Sequence, residues 1–503
     1  MRSRPGQSTR ATMLAAALLV TIGTARCGRT TGPPKPQSEN ATLRVGIGGA
    51  PNQTPERGVQ QFVSNISSEG LLRVNREGRL EPWLVESWRT SIDGLLTTLR
   101  LRPHVTFYDG SPLDAAAVAK SLRDALPKAL GAVFEDIDSI AATSDTEITI
   151  RFHRPSPFVL ESFVDIPVQK PGSPATSTGP FMAKSTSQDS KSSADIEAYG
   201  QYDLGHPRIR RIVVNTYPNV RAAWADLLRD RLDMLYEVSV DALDSMQGAK
   251  NVSVYTFDRP FQYMLVLNSR LPKLKSREVR RALNQAIDRS ALVRDGLSTH
   301  GTPSAGPVSQ HHWAFRDPGS SFDYAPAAAA ATLATRYSGR MSLKCLTPAG
   351  PPYERLALIL KQQLQEVGVD MSIEEVTLES VVAALSKPDF EAELLDVASG
   401  WSLFRPYRWW SSTGTQNVLG FSSPAVDAAL DRVRHAASDD DYRAGVAAFE
   451  QAIADDPPAV FLAWGDRSRA VSSRFDVQAQ PGRDVLASLR LWRPTTDSRA
   501  SHN

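Results

Sequence analysis

The chain has 503 residues, with 57 lysine and arginine residues against 55 aspartate and glutamate residues. This balance gives no electrostatic reason to expect nucleic-acid binding, and a composition of 41% hydrophobic and 22% charged residues is that of a globular protein, not a fibrous or disordered one. Because the chain is longer than one hydrophobic core supports, we expect at least two lobes.

The N-terminus has the layout of a secretory signal. Arg2, Arg4 and Arg10 precede an uncharged, mostly apolar stretch over residues 11–24. A membrane-spanning helix needs about 20 apolar residues, and this stretch is shorter. We therefore predict that residues 1–26 form a signal peptide, removed on export, and that the protein is extracytoplasmic.

Cys27 follows the apolar stretch directly. The segment resembles the lipobox of bacterial lipoproteins, in which this cysteine is acylated, although Thr24 stands where that pattern prefers Leu and Arg26 where it prefers a small residue. We predict that Cys27 carries lipid; ordinary secretion and an uncleaved anchor are the alternatives. Residues 27–40, rich in Pro, Gly and Thr, would then be a solvated tether to the cell membrane.

The remaining sequence offers little for metal binding. Cys345 is the only other cysteine, and the eight histidines are scattered apart from the pair His311 and His312. Adjacent residues do not share a helical face, so we interpret that pair as a polar loop. We expect no metal site, no cofactor and, if Cys27 is lipidated, no disulfide.

From Leu43 onward, strand-like runs alternate with amphipathic segments, which predicts mixed α/β layers. Leu99 and Leu101 alternate with arginines, and Ile148 and Ile150 alternate with polar residues in the same way. These patterns predict two half-buried strands.

Apolar stripes at helical spacing predict the helices. Between the two strands, Ser111 as N-cap and Pro112 as first residue predict the start of a helix with a buried stripe. Four later segments carry such stripes: 279–291, 356–367, 423–433 and 442–453. We interpret all of them as core packing.

Ordered motifs extend from Glu69 to Trp464. They are EGLL from Glu69, PWLVESW from Pro82, Asp93-Gly94, FYDGSP from Phe107, STGPF from Ser177, YMLVLN from Tyr263, VRRALNQAIDRSALV from Val279, LKQQLQEVGVD from Leu360 and the run from Asn417 to Trp464. Their types and order closely resemble the family 5 extracellular solute-binding proteins of bacterial ABC importers, which include dipeptide, oligopeptide and nickel binders. One departure is Tyr108, where the family usually has His.

This resemblance implies an α/β, two-lobed periplasmic-binding-protein-like fold with an extra inserted subdomain and a cleft between the lobes. The implied boundaries are residues 41–263 for lobe I with an insertion over about 80–199, residues 264–464 for lobe II, and residues 465–503 returning to lobe I. A ligand in the cleft would be enclosed as the lobes close.

The resemblance also implies a function: capture of a peptide or peptide-like solute, delivered by a monomeric lipoprotein to the membrane permease of an ABC importer. The alternatives are an anionic, sugar-like or metal-complex ligand on the same scaffold, and a surface receptor without a transport role. An enzyme is not expected, because the sequence has no G-x-S-x-G, H-E-x-x-H or P-loop motif. We name no catalytic residue.

In peptide-binding members of this family, a Gly-Trp element precedes an acidic residue that pairs with the amino end of the peptide. The element here begins at Gly400, and Phe404 stands where that carboxylate is expected. Its arginines and aromatic residues suit a carboxylate, a phosphate or a flat, sugar-like surface. The predicted ligand contacts in this segment are Trp401, Ser402, Phe404, Arg405, Tyr407, Arg408 and Trp409. We predict further contacts at Asn65 and Ser67, before the EGLL motif, and at Gln262 and Tyr263, where the chain crosses between lobes.

Overall fold

The structure, a computed structural model, describes residues 41–49, 54–173, 175–184, 193–239, 242–243, 246, 248–304, 306–317, 319, 322–385, 387, 390–399 and 401–495. The predicted signal peptide, Cys27 and the tether lie outside these residues. Within them, every helix is too short or too polar to cross a membrane.

The strands of the described residues are numbered in chain order. They are β1 Ala41–Gly48, β2 Leu72–Val74, β3 Leu80–Pro82, β4 Val85–Thr90, β5 Leu96–Leu101, β6 Ile137–Ala142, β7 Glu147–Phe152, β8 Phe181–Ala183, β9 Ser193–Ala198, β10 Ile209–Tyr217, β11 Met234–Leu235, β12 Val252–Leu267, β13 Gly301–Pro303, β14 Met341–Pro348, β15 Val369–Val376, β16 Ala392–Ala398, β17 Ala459–Ser472, β18 Phe475–Asp476 and β19 Arg493–Pro494.

The α-helices are numbered in the same way. They are α1 Pro55–Ser67, α2 Ala115–Leu130, α3 Pro157–Ser162, α4 Val220–Leu228, α5 Pro272–Lys275, α6 Arg277–Gln285, α7 Arg289–Ala291, α8 Pro326–Arg336, α9 Tyr353–Glu366, α10 Leu378–Ala384, α11 Phe404–Trp410, α12 Pro424–Arg434 and α13 Asp439–Asp455. Two 3₁₀ segments, Gly131–Asp136 and Val485–Leu491, and a π turn, Leu292–Gly296, are also present.

One mixed sheet runs through the described part of the chain, in the order β15-β14-β16-β12-β17-β11-β1-β10-β9-β8, with β13 added beside β17. The pairs β1 with β10 and β14 with β15 are parallel, whereas β12 pairs antiparallel with both β16 and β17. The predicted α/β architecture therefore takes the form of parallel strand pairs on each side of a central antiparallel region.

A separate antiparallel sheet has the order β4-β5-β7-β6. Leu99 and Ile148 face each other in its register, and both side chains are fully buried, whereas Arg100 is exposed. The two half-buried strands predicted from alternation are confirmed as β5 and β7. The sheet lies within the predicted insertion, whose boundaries, like those of the lobes, stay a prediction.

The two longest strands, β12 and β17, join the cores at the two ends of the main sheet. Val252, at the start of β12, packs in the core beside α4, whereas Leu265 and Leu267, at its end, pack in the core beneath α6 and α9. The register between the strands shifts midway, because Asp258 faces Asp466 but Gln262 faces Trp464. Three residues of β12 thus stand opposite one residue of β17, which is a bulge.

The predicted start of the helix after β5 was wrong. The helix begins at Ala115, and its N-cap is Asp114, whose carboxylate accepts a 2.7 Å hydrogen bond from the amide of Ala117. Ser111 instead donates its hydroxyl and its amide to the carboxylate of Asp109, at 2.6 and 3.1 Å. This local turn competes with helix formation at Ser111.

The stripe predicted as one helix over residues 279–291 is interrupted. Helix α6 ends at Gln285, and α7 starts again at Arg289 because the carboxylate of Asp288 caps the amide of Ala291 at 2.9 Å. The stripes over 356–367, 423–433 and 442–453 fall largely on α9, α12 and α13, respectively. The start of α12, with Ser423 as N-cap and Pro424 as first residue, is confirmed.

A buried ion pair joins the 3₁₀ segment Gly131–Asp136 to α12. The Asp136 side chain is fully buried and accepts hydrogen bonds of 2.7 and 2.9 Å from Arg434 and of 2.9 Å from the Ser156 hydroxyl. Burial alone would raise the pKa of Asp136, but the hydrogen bonds from His435 and Arg434 outweigh it and lower the pKa to about 2.

The buried face of α9 provides a test of the core. Leu360 is fully buried, whereas Leu358 in the same helix is 60% exposed. We expect Leu360→Ala to lower the free energy of unfolding by about 2–5 kcal/mol, because it leaves a cavity, and Leu358→Ala to change it by less than about 0.5 kcal/mol. Urea unfolding of both variants measures this; equal losses would contradict the assigned face.

The Asp136 pair provides a second test. Asp136→Asn leaves the Arg434 charge buried without its partner, so we expect a loss of about 3–5 kcal/mol at neutral pH. Because the pKa of Asp136 is lower in the folded state than its ordinary value of 3.8, the pair contributes fully above roughly pH 4 and loses its contribution as the pH falls toward about 2. The difference between wild type and variant in urea unfolding should shrink over that range. Asp138→Asn, at an exposed carboxylate nearby, is the matched control, and a loss as large in that variant would refute the assignment.

Candidate functional site

A cavity of about 490 Å³ lies beside the register shift between the paired strands β12 and β17, a place called the crossing from here on because both strands pass there from one core to the other. Its walls come from distant parts of the chain: α1 contributes Asn65, the turn between β3 and β4 contributes Trp83, β12 and β17 contribute Arg259 and Arg469, and the segment before α11 contributes Trp401. A cavity of this size, enclosed by several elements, has the dimensions of a small-molecule binding site.

Aromatic side chains form much of the cavity wall. Trp83, Phe257, Phe261 and Trp401 all line it. The guanidinium carbon of Arg259 lies 3.6 Å from the centroid of the Phe261 ring, in the range of a cation–π contact. Flat apolar surfaces beside cations suit a ligand that combines a hydrophobic part with a polar group.

The described cavity wall has more positive than negative charge. Six arginines line it, against the three carboxylates of Glu237, Asp258 and Asp484. Each of these carboxylates is already in an ion pair: Glu237 with Arg467 at 3.3 Å, Asp258 with Arg76 at 2.5 Å and Asp484 with Arg469 at 2.5 Å. Within the described wall, every carboxylate thus has a cation partner before any ligand binds.

Five of the six arginines also have carboxylate partners. These pairs are Arg73 and Arg483 with Glu81, Arg405 with Asp165, Arg467 with Glu237 and Asp396, and Arg469 with Asp484. The sixth, Arg259, is half-buried and forms no ion pair or hydrogen bond with the described residues. Burial and the nearby charge of Arg467 lower the pKa of Arg259.

The segment after Gly400 divides into two groups. Trp401 and Arg405 line the cavity, as expected for ligand contacts. Phe404 and Tyr407 instead point into the hydrophobic core, where their rings lie 5.9 and 5.4 Å from the ring of Phe158. Phe404, which stands where the family has a carboxylate, therefore lies outside the cavity wall.

The other candidates of that segment contact neighbouring residues outside the cavity wall. Ser402 donates its hydroxyl to the Glu161 carboxylate at 2.6 Å. Arg408 donates to the Thr415 hydroxyl at 3.2 Å, and Trp409 lies against Trp410 with ring centroids 5.9 Å apart.

Of the remaining candidates, Asn65 lines the cavity, and its amide donates to the Tyr236 hydroxyl at 3.3 Å. Ser67 is buried outside the cavity wall, and its carbonyl accepts the Tyr108 hydroxyl at 2.6 Å. This contact gives Tyr108, the departure from the family motif, a structural role.

Gln262 and Tyr263 are buried at the crossing itself. The Gln262 amide donates to the carbonyl of Gly306 at 2.6 Å, and the Tyr263 ring packs at 5.7 Å from that of Tyr353. Ligand contact stays a prediction for every candidate, but the cavity wall includes only Asn65, Trp401 and Arg405 among them.

Sequence reasoning missed Trp83, Arg259, Arg467 and Arg469 as cavity residues. The sequence did contain one indication of the role of Arg259. It precedes a proline inside a strand-like run, and a proline within a strand commonly marks a bulge or an edge. Trp83 belongs to the PWLVESW motif, which indicates the family but not a ligand contact.

Hydrogen bonds connect α3 and the turn after it to the segment around α11 beside the cavity. The buried Glu161 carboxylate accepts the Ser402 and Tyr442 hydroxyls, both at 2.6 Å, and the Phe404 amide at 3.0 Å. Arg405 donates to both oxygens of Asp165, at 3.0 and 2.5 Å. Burial raises the pKa of Glu161. These contacts hold the two halves of the cavity wall together in this conformation.

In the described residues, no group of three His, Cys, Asp or Glu side chains is arranged to hold a metal ion. His312 is buried against Trp313, and burial followed by the charge of Arg79 lowers its pKa to about 3, so its ring is neutral. Cys345 is a buried free thiol, and burial raises its pKa to about 11.

The chain is similar to proteins of known class. The family model of the bacterial extracellular solute-binding proteins, family 5 (middle), matches residues 79–417. The chain is 24% identical over 409 residues to the "Probable D,D-dipeptide-binding periplasmic protein DdpA" of Escherichia coli K12, covering 75% of this chain and 78% of that protein. It is 27% identical over 262 residues to the nickel-binding periplasmic protein of the same organism, and there it spans about half of each chain, 47% and 49%.

The fold is also similar to solved structures. The oligopeptide-binding protein AppA of Bacillus subtilis, in complex with a nonapeptide, superposes with a TM-score of 0.76 at 17% identity, covering 91% of this chain and 100% of AppA. This similarity confirms the predicted two-lobed α/β fold. With the match over residues 79–417, it leads to one conclusion: the chain belongs to family 5 of the bacterial extracellular solute-binding proteins.

Proposed function

We propose that this protein captures a solute in the cavity at the crossing of β12 and β17 and delivers it to the permease of an ABC importer. The observation that carries this proposal is the cavity itself, about 490 Å³ in volume, with walls from α1, the insertion, both crossing strands and the segment before α11. The function requires binding and release, with no bond-breaking step.

The connection through the crossing strands supports binding coupled to closure. A ligand that touches Trp83 and Trp401 contacts both sides of the cavity, so it binds a closed state better than an open one and shifts the population toward closure. The Arg405–Asp165 pair and the hydrogen bonds to Glu161 join the same two sides. We propose that these contacts break when the cleft opens to release its solute.

A peptide or peptide-like solute is the proposed ligand class. Support comes from relatives, a probable D,D-dipeptide-binding protein and AppA in complex with a nonapeptide, and from the mixed aromatic and polar wall. The described carboxylates of that wall are all in ion pairs. A free ammonium group would therefore compete with an arginine for its counter-charge, and we propose that the amino end is not the main anchor.

The location and partner follow from the family and the N-terminal sequence. The family consists of extracellular solute-binding proteins, and the apolar stretch before Cys27 supports export and lipid anchoring at the cell membrane. We propose a monomeric lipoprotein that presents its loaded, closed state to the permease.

A thermal-shift screen of the purified full chain tests the proposal. The panel contains peptides of two to nine residues, sugars, sugar phosphates, nickel–histidine and haem. A solute present at about 100 times its Kd should add about 2.7 kcal/mol of stability. Stabilisation by none of them would contradict solute capture of these classes, and stabilisation by sugars alone would contradict the peptide class.

Two tryptophan variants test the location of the site. Trp401 lines the cavity, whereas Trp409, nearby in sequence and also half-buried, does not. We expect Trp401→Ala to raise the Kd of the best solute about tenfold or more and Trp409→Ala to leave it unchanged. Calorimetric titration measures both, with urea unfolding as the check on folding. Equal effects, or a larger effect at Trp409, would place the site elsewhere.

Two cysteine variants test the anchor. We expect Cys27→Ser to abolish incorporation of a labelled fatty acid and to release the protein from the membrane fraction. Cys345→Ser is the matched control, because that thiol is buried in the core and unreactive. Label that persists in Cys27→Ser would contradict lipidation at this residue.

A further inference from the structure

We propose that Arg259 anchors an oxyanion group of the solute, a carboxylate or a phosphate, within the cavity. This inference rests on the proposed function and adds to it the chemical class that the cleft selects. The contacts of the arginines in the cavity wall place this anion-binding residue on β12 and not in the segment after Gly400.

The position of Arg259 comes from the bulge in β12. The register with β17 passes from Asp258 opposite Asp466 to Gln262 opposite Trp464, so Arg259 and Pro260 lie outside the regular ladder. Pro260 has no amide hydrogen to offer a neighbouring strand, and its carbonyl accepts the Ser399 amide at 2.6 Å. Bulges of this kind re-aim side chains beside functional sites, and Arg259 lines both the main cavity and a smaller adjoining one.

The second observation is that Arg259 has no carboxylate partner among the described residues. Every other arginine of the described cavity wall has a carboxylate within 4.0 Å, whereas Arg259 has only the Phe261 ring, 3.6 Å from its guanidinium carbon. The ring covers one face of the guanidinium plane and leaves its N–H edge for a ligand. Planar N–H groups of this kind bind carboxylate and phosphate oxygens through paired hydrogen bonds.

The third observation is the charge around Arg259. The Coulombic effects of Glu237 and Asp396 favour its cationic form, but both carboxylates already pair with Arg467. Arg467 is itself a cation close enough to act against the charge of Arg259. A half-buried cation beside the buried charge of Arg467 is costly unless an anion binds next to it. An anionic solute supplies that charge and strengthens the closed state, whereas a neutral solute does not.

The partners of Arg405 and Arg408 support this assignment. The Arg405 guanidinium donates to both carboxylate oxygens of Asp165, and the Arg408 guanidinium donates to the Thr415 hydroxyl. Neither is free to supply the main anion contact without losing these bonds. The anionic preference that the sequence suggested for those two residues is therefore assigned to Arg259.

Matched solute pairs on the purified full chain test this inference. The first pair is a series of alanine peptides with a free carboxylate and the same peptides as C-terminal amides; the second is sugar phosphates and their parent sugars. We expect the anionic member of one pair to bind wild type about 10- to 100-fold more tightly, which is the range for a charge-assisted hydrogen bond. Preference in the first pair identifies a carboxylate, and preference in the second identifies a phosphate.

Variants of Arg259 assign the preference to this residue. Arg259→Met should remove the preference for the anionic solute, so that this variant binds both members of the pair equally. Arg259→Lys should keep part of the preference through its charge alone. Arg89→Met, which removes an exposed arginine of β4 outside the cavity, is the control for net charge and should behave as wild type. Urea unfolding of each variant separates loss of binding from loss of folding.

The outcomes separate this inference from the proposed function. If wild type binds panel members but does not distinguish the anionic from the neutral partners, or if Arg259→Met keeps the preference, the inference is overturned and solute capture stands. If wild type binds no member of the panel, the proposed function fails, and the inference fails with it.

Discussion

The antiparallel pairing of β12 with β17 is the constraint on which the rest of the structure depends. Each strand begins in one core of the main sheet and ends in another, so this pairing joins the two sides of the cavity. Ladder hydrogen bonds fix the separation of the strands but resist twisting and bending only weakly. The proposed opening and closing of the two lobes would use this kind of connection, with few strands and a defined path.

The bulge in β12 follows from the same constraint. A strand that continued in regular register would alternate its side chains between the two faces of the sheet. The extra residues around Pro260 break that alternation at the crossing and direct Arg259 and Phe261 to the cavity. In the described wall, every carboxylate is in an ion pair, whereas the Arg259 guanidinium has no carboxylate partner among the described residues. The bulge in β12 and the proposed anion contact thus lie at one position in the fold.

Much of the fold could be predicted from the sequence, because the ordered motifs and the alternation of Leu99 and Ile148 depend on local pattern alone. The site was harder to predict. Phe404 and Tyr407 follow the Gly-Trp element as candidates should, yet they pack on Phe158, which is far away in the chain. The pairing of Arg405 with Asp165 spans 240 residues in sequence. Local patterns cannot reveal such contacts, since they depend on how the insertion docks. The predicted helix start at Ser111 was wrong because the Ser111 hydroxyl donates to the Asp109 carboxylate in a local turn, and the helix begins further along the chain.

The measurement that tests the central claim most directly is the electron density of the protein crystallised with its best-binding solute. The account predicts solute density in the cavity at the crossing strands, between Trp401 and the bulge of β12, with an oxyanion of the solute within hydrogen-bonding distance of the Arg259 guanidinium. Density for the solute outside this cavity, with the crossing region filled only by water, would contradict it.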